Sequence, residues 1–270
     1  MYFAVNSKQK HKKYERKKKI KRGLSEREEK VLSLITESNI SSVSEISKIL
    51  GVSSVTIRND LNSLADKGLI IRTHGGASPA FHPGVTERQR LRVEEKNRIA
   101  KKAASLVNDG DAIMVEAGTT SSLIVKYLLG KRDIQLVSTS TLILPFVRVN
   151  PGIHLTLVGG EFRPSTESLV GPIALSELSR FFVRLAFVGT DGFSIEGGLT
   201  TYLVEGAEVV KMMSSRAERT ILVADSSKYG RRGFVHVLDI GEIDELITDS
   251  GLDRGIVREL EGMGIKVYIV

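Results

Sequence analysis

Small, hydroxylated and charged residues follow an apolar segment near residue 115, and they could bind an anion. Gly118, Thr119 and Thr120 lead into a predicted helix that runs to about residue 128. The free N–H groups of its first turn would attract an anion, and Gly118 lets the backbone approach it. Lys228 supplies a cation, and Arg163 could supply a second one.

Carboxylates in the same region suit a different part of the ligand. Asp191 and Glu205 would accept hydrogen bonds from hydroxyl groups rather than bind a phosphate. Together with the cations they point to a polyol phosphate as the ligand class. The predicted ligand-binding residues are Gly118, Thr119, Thr120, Thr139, Arg163, Asp191, Gly192, Glu205 and Lys228. Taken singly, each cluster could equally be a helix cap, a turn or a solvated side chain.

Seven nearly continuous apolar segments alternate with helical segments in residues 87–270. The segments are 112–115, 134–137, 153–158, 185–188, 220–224, 246–247 and 265–270. Apolar strands alternating with helices are typical of a mostly parallel sheet that is buried on both faces. Because all strands of such a sheet end at one edge, the polar clusters that follow them are expected to converge there. The sequence therefore predicts a Rossmann-like α/β domain, preceded by a long amphipathic helix over residues 90–107.

A second group of residues, 42–64, has the spacing of a helix-turn-helix. Ser42 and Glu45 have capping-box spacing for a helix over 43–50, and Gly51 suits a left-handed turn after it. Ser53 then caps a second helix, in which Ile57, Leu61 and Leu64 form one apolar stripe. This second helix could enter the major groove of DNA.

The free face of that helix carries groups that suit base edges. Arg58 suits guanine or phosphate, Asn59 suits adenine, and the Val55 methyl groups could contact thymine. Residues 69–73 predict a strand, and Gly75-Gly76 the tight turn of a β-wing. The predicted DNA-binding residues are Ser53, Ser54, Val55, Arg58, Asn59, Arg72 and His74. The alternative is an ordinary polar face on a helical hairpin.

The segments VSSVTIRNDL and GLIIRTHGGA resemble the DeoR family of bacterial transcription regulators, which have a winged helix-turn-helix. The family pattern places a second Arg where this chain has Asn59. Further matches are IAKKAASLVNDGDAIMVEAG, GTTS, GGEFRPSTESLVGP, FVGTDGFS, GLTT followed by EGAEVVKMM, and ADSSKYG. The resemblance covers about residues 25–250 and implies a repressor of a carbohydrate operon, released from its operator by a sugar phosphate. Glu116 and Ser140 depart from the family's Asp and Asn.

An enzyme is the rival hypothesis, because the same domain is similar to ribose-5-phosphate isomerases. Those enzymes pair two carboxylates in D-G-A-D and use a Lys in K-G-G-G. Here Val188 replaces the first Asp, and Glu196 stands where the Lys would be. Asp191, Glu205 and Lys228 remain, which is short of a full acid/base set. We therefore expect binding without turnover, and no catalytic residue, cofactor or metal is predicted.

The chain has 270 residues, enough for two domains, and it contains no Cys, which excludes disulfides and cysteine-ligated metal. No segment predicts a signal peptide or membrane span, so a cytoplasmic location is expected. The net charge of +7 is uneven: residues 1–22 hold ten Lys or Arg and one Glu, which leaves −2 for the rest. A general DNA-compacting protein, a third hypothesis, would need a more basic folded part.

The expected organisation is a basic arm at 1–22, a winged helix-turn-helix at 23–77, a linker at 78–86 and an α/β effector domain at 87–270. The arm is expected to be flexible, because so dense a run of charge buries little apolar surface. The expected partners are a double-stranded DNA operator and a phosphorylated sugar. Because two recognition helices must fit neighbouring major grooves, we also expect a homodimer or homotetramer.

Overall fold

The computed structural model describes residues 24–38 and 40–270. The chain forms two compact units that divide between Thr86 and Glu87. The predicted basic arm at 1–22 lies outside the described residues.

The described part of the amino-terminal unit begins with the helices α1 (Glu26–Thr36), α2 (Val43–Leu50) and α3 (Ser54–Asp66). Ser25 caps α1 in a full capping box with Glu28, and the Oγ of Ser42 and of Ser53 accept bonds from the first turns of α2 and α3. Gly51 joins α2 to α3 with a left-handed φ of 65°, as predicted. The predicted helix-turn-helix is confirmed.

The apolar stripe of α3 forms the centre of this unit's core. Ile57, Leu61 and Leu64 are fully buried, and they belong to one cluster with Leu32 of α1 and Ile46 of α2. Burial of each such side chain contributes about 1.5–3 kcal/mol. The stripe therefore fixes which face of α3 remains exposed.

The predicted wing is present as an antiparallel hairpin of β1 (Ile70–Thr73) and β2 (Gly76–Pro79). Thr73 pairs with Gly76, so the two-residue turn is His74-Gly75 and not the predicted Gly75-Gly76, because Gly76 already belongs to β2. A side chain on Gly76 would meet the Ser41 carbonyl oxygen at 2.0 Å, so only glycine fits there.

The segment between the units differs from the prediction. Residues 78–86 were expected to lack regular structure, but β2 runs to Pro79 and a helix, α4, spans Pro83–Arg90. Pro83 does not prevent this helix, because the first helical residue needs no N–H partner. The single long helix predicted over 90–107 is also wrong: Arg92 takes a left-handed φ of 53°, and α5 begins after it (Val93–Ser105).

A seven-stranded sheet, parallel throughout, forms the carboxy-terminal unit, as the apolar segments predicted. Its strands are β3 (Ala112–Val115), β4 (Ile134–Ser138), β5 (Ile153–Leu157), β8 (Val183–Val188), β11 (Ala217–Val223), β13 (Glu245–Thr248) and β14 (Lys266–Ile269). Their order is β14-β13-β11-β8-β3-β4-β5.

Shorter elements surround this sheet. Strands β6 (Glu161–Arg163) and β7 (Ser168–Val170) form a hairpin, and β9 (Gly192–Ser194), β10 (Gly198–Thr201) and β12 (Val235–Leu238) form a small antiparallel sheet. The remaining α-helices are α6 (Ser122–Lys126), α7 (Leu144–Val147), α8 (Pro172–Leu178), α9 (Val204–Ser215) and α10 (Arg254–Gly262). Three 3-10 turns lie at Thr141–Ile143, Ser226–Lys228 and Ile240–Glu242.

Both faces of the large sheet are buried. Ile113 and Val115 of β3 pack into the same cluster as Ile99 of α5, whereas Met114 packs into another with Val209 of α9. This alternation explains why β3 is apolar at every position. In the described part of the chain, no helix combines the length and apolar character that crossing a membrane requires.

Candidate functional site

A cavity of about 820 Å³ lies in the carboxy-terminal unit, at the ends of three central strands. Glu116 to Ser121 follow β3, Gly189 to Asp191 follow β8, and Asp225, Ser227 and Lys228 follow β11. Gly118, Thr119, Thr120, Asp191 and Lys228, all predicted to bind ligand, therefore line one space.

The other predicted ligand-binding residues, Thr139, Arg163, Gly192 and Glu205, are not among those lining the cavity. Arg163 instead donates to the Glu205 carboxylate at 2.5 Å, so these two charges satisfy each other. Gly192 pairs with Thr200 in the small sheet, and Thr139 is fully buried.

The sheet is too wide for every polar cluster to converge. Seven strands spaced about 4.8 Å apart span roughly 29 Å, so the strand ends on the flanks do not reach the centre. The clusters at residues 138–141 and 248–250 accordingly lie outside the cavity lining. Asp249 acts indirectly, because it accepts bonds from Ser226 N at 2.7 Å and Ser226 Oγ at 2.9 Å and so holds the turn that carries Lys228.

The helix after Gly118-Thr119-Thr120 is shorter than predicted. It spans five residues, Ser122–Lys126, and continues only as turns beyond them. So short a helix has a small dipole. Attraction of an anion would therefore depend on side-chain cations more than on this helix.

Four cations that the sequence interpretation missed also line the cavity: Arg88, Arg92, Lys96 and Arg231. A signal existed for Lys96, which lies on the buried stripe of α5, three residues before Ile99 and seven before Ala103. A Lys in an apolar stripe needs a polar partner. No comparable pattern marks the three Arg residues.

Lys96 is only 5% exposed, and its Nζ donates to two uncharged oxygens, the Arg88 carbonyl and Thr119 Oγ1, the latter at 3.1 Å. Burial lowers the pKa of this ammonium to about 8, even though Asp225 acts in the opposite direction. Keeping the Lys96 ammonium charged at this buried position therefore costs free energy.

Asp191 is held in a fixed orientation. Its Oδ2 accepts bonds from Thr201 Oγ1 at 2.8 Å and from the Tyr202 N–H at 3.1 Å. Its Oδ1 lies 4.0 Å from Lys228 Nζ. These contacts fix the positions of both acceptor oxygens.

Glu116 is a second carboxyl group in the cavity lining, and its pKa is shifted. Burial, together with the charge of Asp191, raises the pKa of Glu116 to about 8, and the single bond from Gly189 N at 3.2 Å does not offset this. At neutral pH most Glu116 side chains are therefore protonated and can donate a hydrogen bond. The cavity thus combines a fixed acceptor with a neutral donor.

In the amino-terminal unit, the predicted DNA-binding residues share the face of α3 opposite the core, together with the wing. Val55 is 63% exposed, Arg58 and Asn59 are exposed, and Ser54 is half-buried. Ser53 Oγ is engaged as the N-cap, accepting from Thr56 N at 3.1 Å.

On the wing, His74 is exposed at the tip of the hairpin. Arg72 donates to the Gly76 carbonyl at 2.8 Å, across the same hairpin. The wing therefore offers one exposed ring and one guanidinium that already has a backbone partner.

An ion pair that the sequence interpretation missed fixes α3 against α1. Asp60 is 6% exposed, and it accepts two bonds from the Arg27 guanidinium, at 2.6 Å from Nε and 3.0 Å from Nη2. Such a two-point contact restrains both position and rotation. It orients the free face of α3 without using any residue of that face.

Comparison with known proteins identifies a domain family for each unit. The DeoR-like helix-turn-helix domain matches residues 27–80, and the DeoR C terminal sensor domain matches residues 91–250. The chain belongs to the DeoR family. The DeoR resemblance noted in the sequence is therefore confirmed, and this DeoR-family protein is a DNA-binding transcriptional regulator with a carboxy-terminal sensor domain.

Relatives match over nearly their whole length. The HTH-type transcriptional regulator GlpR of Haloferax volcanii is 36% identical over 90% of this chain and 96% of its own. The putative aga operon transcriptional repressor of Escherichia coli is 30% identical over 92% and 94%. Among solved structures, ribose 5-phosphate isomerase A of Neisseria gonorrhoeae has 21% identity and a TM-score of 0.35, and the match covers 54% of this chain and 55% of that one. A TM-score of that size does not indicate shared chemistry.

Proposed function

We propose that this DeoR-family regulator is a repressor of carbohydrate genes that a phosphorylated sugar releases from DNA. The observation that carries the proposal is the cavity at the strand ends, where five basic side chains meet hydroxyl and carboxyl groups. The basic side chains are Arg88, Arg92, Lys96, Lys228 and Arg231. The name of the E. coli relative, an operon repressor, supports repression rather than activation.

The charge of the cavity matches one phosphate. Glu87, Asp191 and Asp225 supply three negative charges against the five positive ones, and Glu116 is mostly neutral. The remaining net charge is +2, and a phosphomonoester carries about −2 at neutral pH. A single phosphate therefore neutralises the cavity, which a sugar without phosphate cannot do.

The uncharged part of the ligand would contact the hydroxyl-bearing side. Asp191 offers an acceptor, Glu116 a donor, and Ser165 and Thr166 add side-chain hydroxyls to the lining. Donors and acceptors in such a mixture bind the hydroxyl groups of a sugar or polyol. This is the combination that a polyol phosphate requires.

Isomerisation is the second candidate function, and one observation favours it: Glu116 and Lys96 both have pKa values near 8 in one cavity. Against it, Val188 is buried in β8 where the isomerases have their first carboxylate, and Glu196 is exposed and not among the lining residues. We therefore propose binding without turnover. Aldose–ketose conversion by the purified protein, lost on Asp191→Ala, would contradict this.

The repressor is proposed to act as a homodimer or homotetramer in the cytoplasm. One recognition helix reads one half-site, so an operator with two half-sites needs two copies. Sedimentation of the protein with its operator counts those copies, and a single copy per operator would contradict the proposal.

Lys228→Ala provides the test of ligand control. A DNA duplex selected by the protein from a random pool serves as operator, and sugars with and without phosphate are titrated against the complex. We expect a phosphorylated sugar to weaken DNA binding by roughly 5- to 150-fold. Lys228→Ala should bind the same DNA equally well and lose at least tenfold in ligand affinity, because one cation of the cavity is gone.

The matched control is Lys211→Ala, an exposed Lys on α9 that is not among the cavity-lining residues. It should respond to the sugar phosphate as the wild type does. Calorimetry establishes binding independently of DNA. A panel in which no phosphorylated sugar binds, or in which one binds without changing DNA affinity, would refute ligand control.

A further inference from the structure

The end of α4 forms part of the cavity. Arg88, which belongs to α4, and Leu91 and Arg92, which follow it, are lining residues. The same helix begins at Pro83, before the division between the units at Thr86 and Glu87. Along the chain, α4 therefore crosses the division between the units. A change at its end alters a helix that contains residues of both.

Lys96 holds this end of the helix. Its Nζ donates to the carbonyl oxygen of Arg88, one of the last four carbonyls of α4, which a helix leaves without an N–H partner of its own. The helix cannot continue to satisfy that carbonyl, because Arg92 takes a left-handed φ of 53°. Lys96 thus acts as a C-terminal cap supplied from the next helix.

The partners of Lys96 do not match its charge. The Arg88 carbonyl and Thr119 Oγ1 are neutral oxygens, and the side chain is almost wholly buried. A buried ammonium gains far more from an anion than from a neutral oxygen. Because Thr119 and Lys96 both line the cavity, an anion bound there can reach Lys96.

The side chain of Arg88 has a similar arrangement. Its Nη2 donates to the Ser165 carbonyl at 2.6 Å, and Ser165 also lines the cavity. The backbone and the side chain of Arg88 are therefore both held by bonds between a cation and a neutral oxygen. An anion would compete for both cations.

We propose that an anion bound in the cavity replaces the Arg88 carbonyl as the hydrogen-bond acceptor of Lys96. The last turn of α4 then loses its cap and is released. This inference rests on the proposed function, because it requires the cavity to bind an anion. It adds how a bound anion would change α4, the helix that precedes the sensor domain. Lys96 is then a coupling residue as well as a contact for the ligand.

Hydrogen exchange of the full chain tests the proposal, with inorganic phosphate as the probe and chloride at equal ionic strength as the reference. In the wild type, phosphate should slow exchange around Gly118 to Thr120 and speed exchange of a peptide covering 83–92 at least threefold. Lys96→Met should speed exchange of that peptide without phosphate and abolish the phosphate effect on it. Lys96→Arg keeps the cation and should retain the response.

The matched control is Lys101→Met, an exposed Lys on the same helix, which should behave as the wild type. Wild-type exchange of residues 83–92 in Lys96→Met would overturn the proposal. Phosphate that protects Gly118 to Thr120 but leaves 83–92 unchanged would also overturn it, with the anion site intact. If neither phosphate nor any sugar phosphate changes the hydrogen exchange of either segment, the proposed function is refuted. The proposed change of the Lys96 hydrogen-bond acceptor is then refuted as well.

Discussion

Arg58 is predicted to contact DNA, and its position on α3 allows this role to be tested without changing the fold. It is exposed on α3, next to the fully buried Ile57, so packing does not depend on its side chain. Arg58→Ala should weaken operator binding by about 1–3 kcal/mol, because a guanidinium contact to a base or phosphate is lost. The melting temperature should be unchanged. Fluorescence anisotropy with labelled operator measures the first quantity and calorimetric unfolding the second.

Arg258→Ala is the control, since Arg258 is an exposed Arg on α10 in the other unit. It should leave both DNA affinity and melting temperature unchanged. If Arg58→Ala protein footprints the operator like wild type, base reading lies in other residues.

Two residues of the cavity, Glu116 and Lys96, titrate near the same pH and change its charge in the same direction. Above pH 8, Glu116 gains a negative charge and Lys96 loses its positive one, since the pKa of each is about 8. Both changes make the cavity less positive, so phosphate affinity should fall at least tenfold between pH 7 and pH 9. Calorimetric titration with a phosphomonoester, glycerol phosphate, measures this.

Glu116→Gln removes one of these titrations and should reduce the pH dependence. The ester phosphate itself stays mainly a dianion over this range, because the second pKa of a phosphomonoester is about 6. A wild-type affinity that is constant from pH 7 to pH 9 would contradict the charges assigned to the cavity.

At the scale of elements, Glu28 joins α1 to α3. Its carboxylate accepts from Ser25 N at 2.6 Å, Lys67 Nζ at 2.7 Å and Ser63 Oγ at 2.6 Å. Burial alone would raise the pKa of Glu28, but these bonds outweigh burial and lower it to about 2. The contact therefore stabilises the unit fully above the unfolded pKa of about 4.5, and the contribution is lost as the pH falls toward 2.

Glu28→Gln should lower the unfolding free energy at pH 7 by roughly 2–3 kcal/mol, and the variant should lose less stability between pH 4.5 and pH 2 than wild type does. Exchange of α1 and α3 peptides in urea reports this unit alone. The control is Asp66→Asn, an exposed acid in the same unit, which should match wild type. Equal acid sensitivity of Glu28→Gln and wild type would refute the assignment.

At the scale of the whole molecule, the net positive charge comes from one short segment of the chain. The net charge of +7 arises from residues 1–22, and the remaining residues sum to −2. We therefore expect the affinity of the folded units for DNA to come from local groups, for which Arg58 is the predicted example, rather than from a general positive field. The cavity of the sensor domain likewise has a local charge of its own.

The sequence by itself determined the helix-turn-helix and the strands of the large sheet. The stripe of Ile57, Leu61 and Leu64, the caps at Ser42 and Ser53 and the seven apolar segments all correspond to observed structure, because spacing within one element depends only on its own backbone geometry. The family also followed from the sequence, since its motifs keep their order and spacing.

Only the tertiary structure decided which distant residues meet. Arg163 and Glu205 carry suitable groups, yet they pair with each other, while Arg88, Arg92 and Lys96 enter the cavity from a helix junction that no strand-end rule includes. Partner choice depends on strand order and on where one helix ends and the next begins, as at Arg92. Those are properties of the packed unit, so the local pattern around each residue does not contain them.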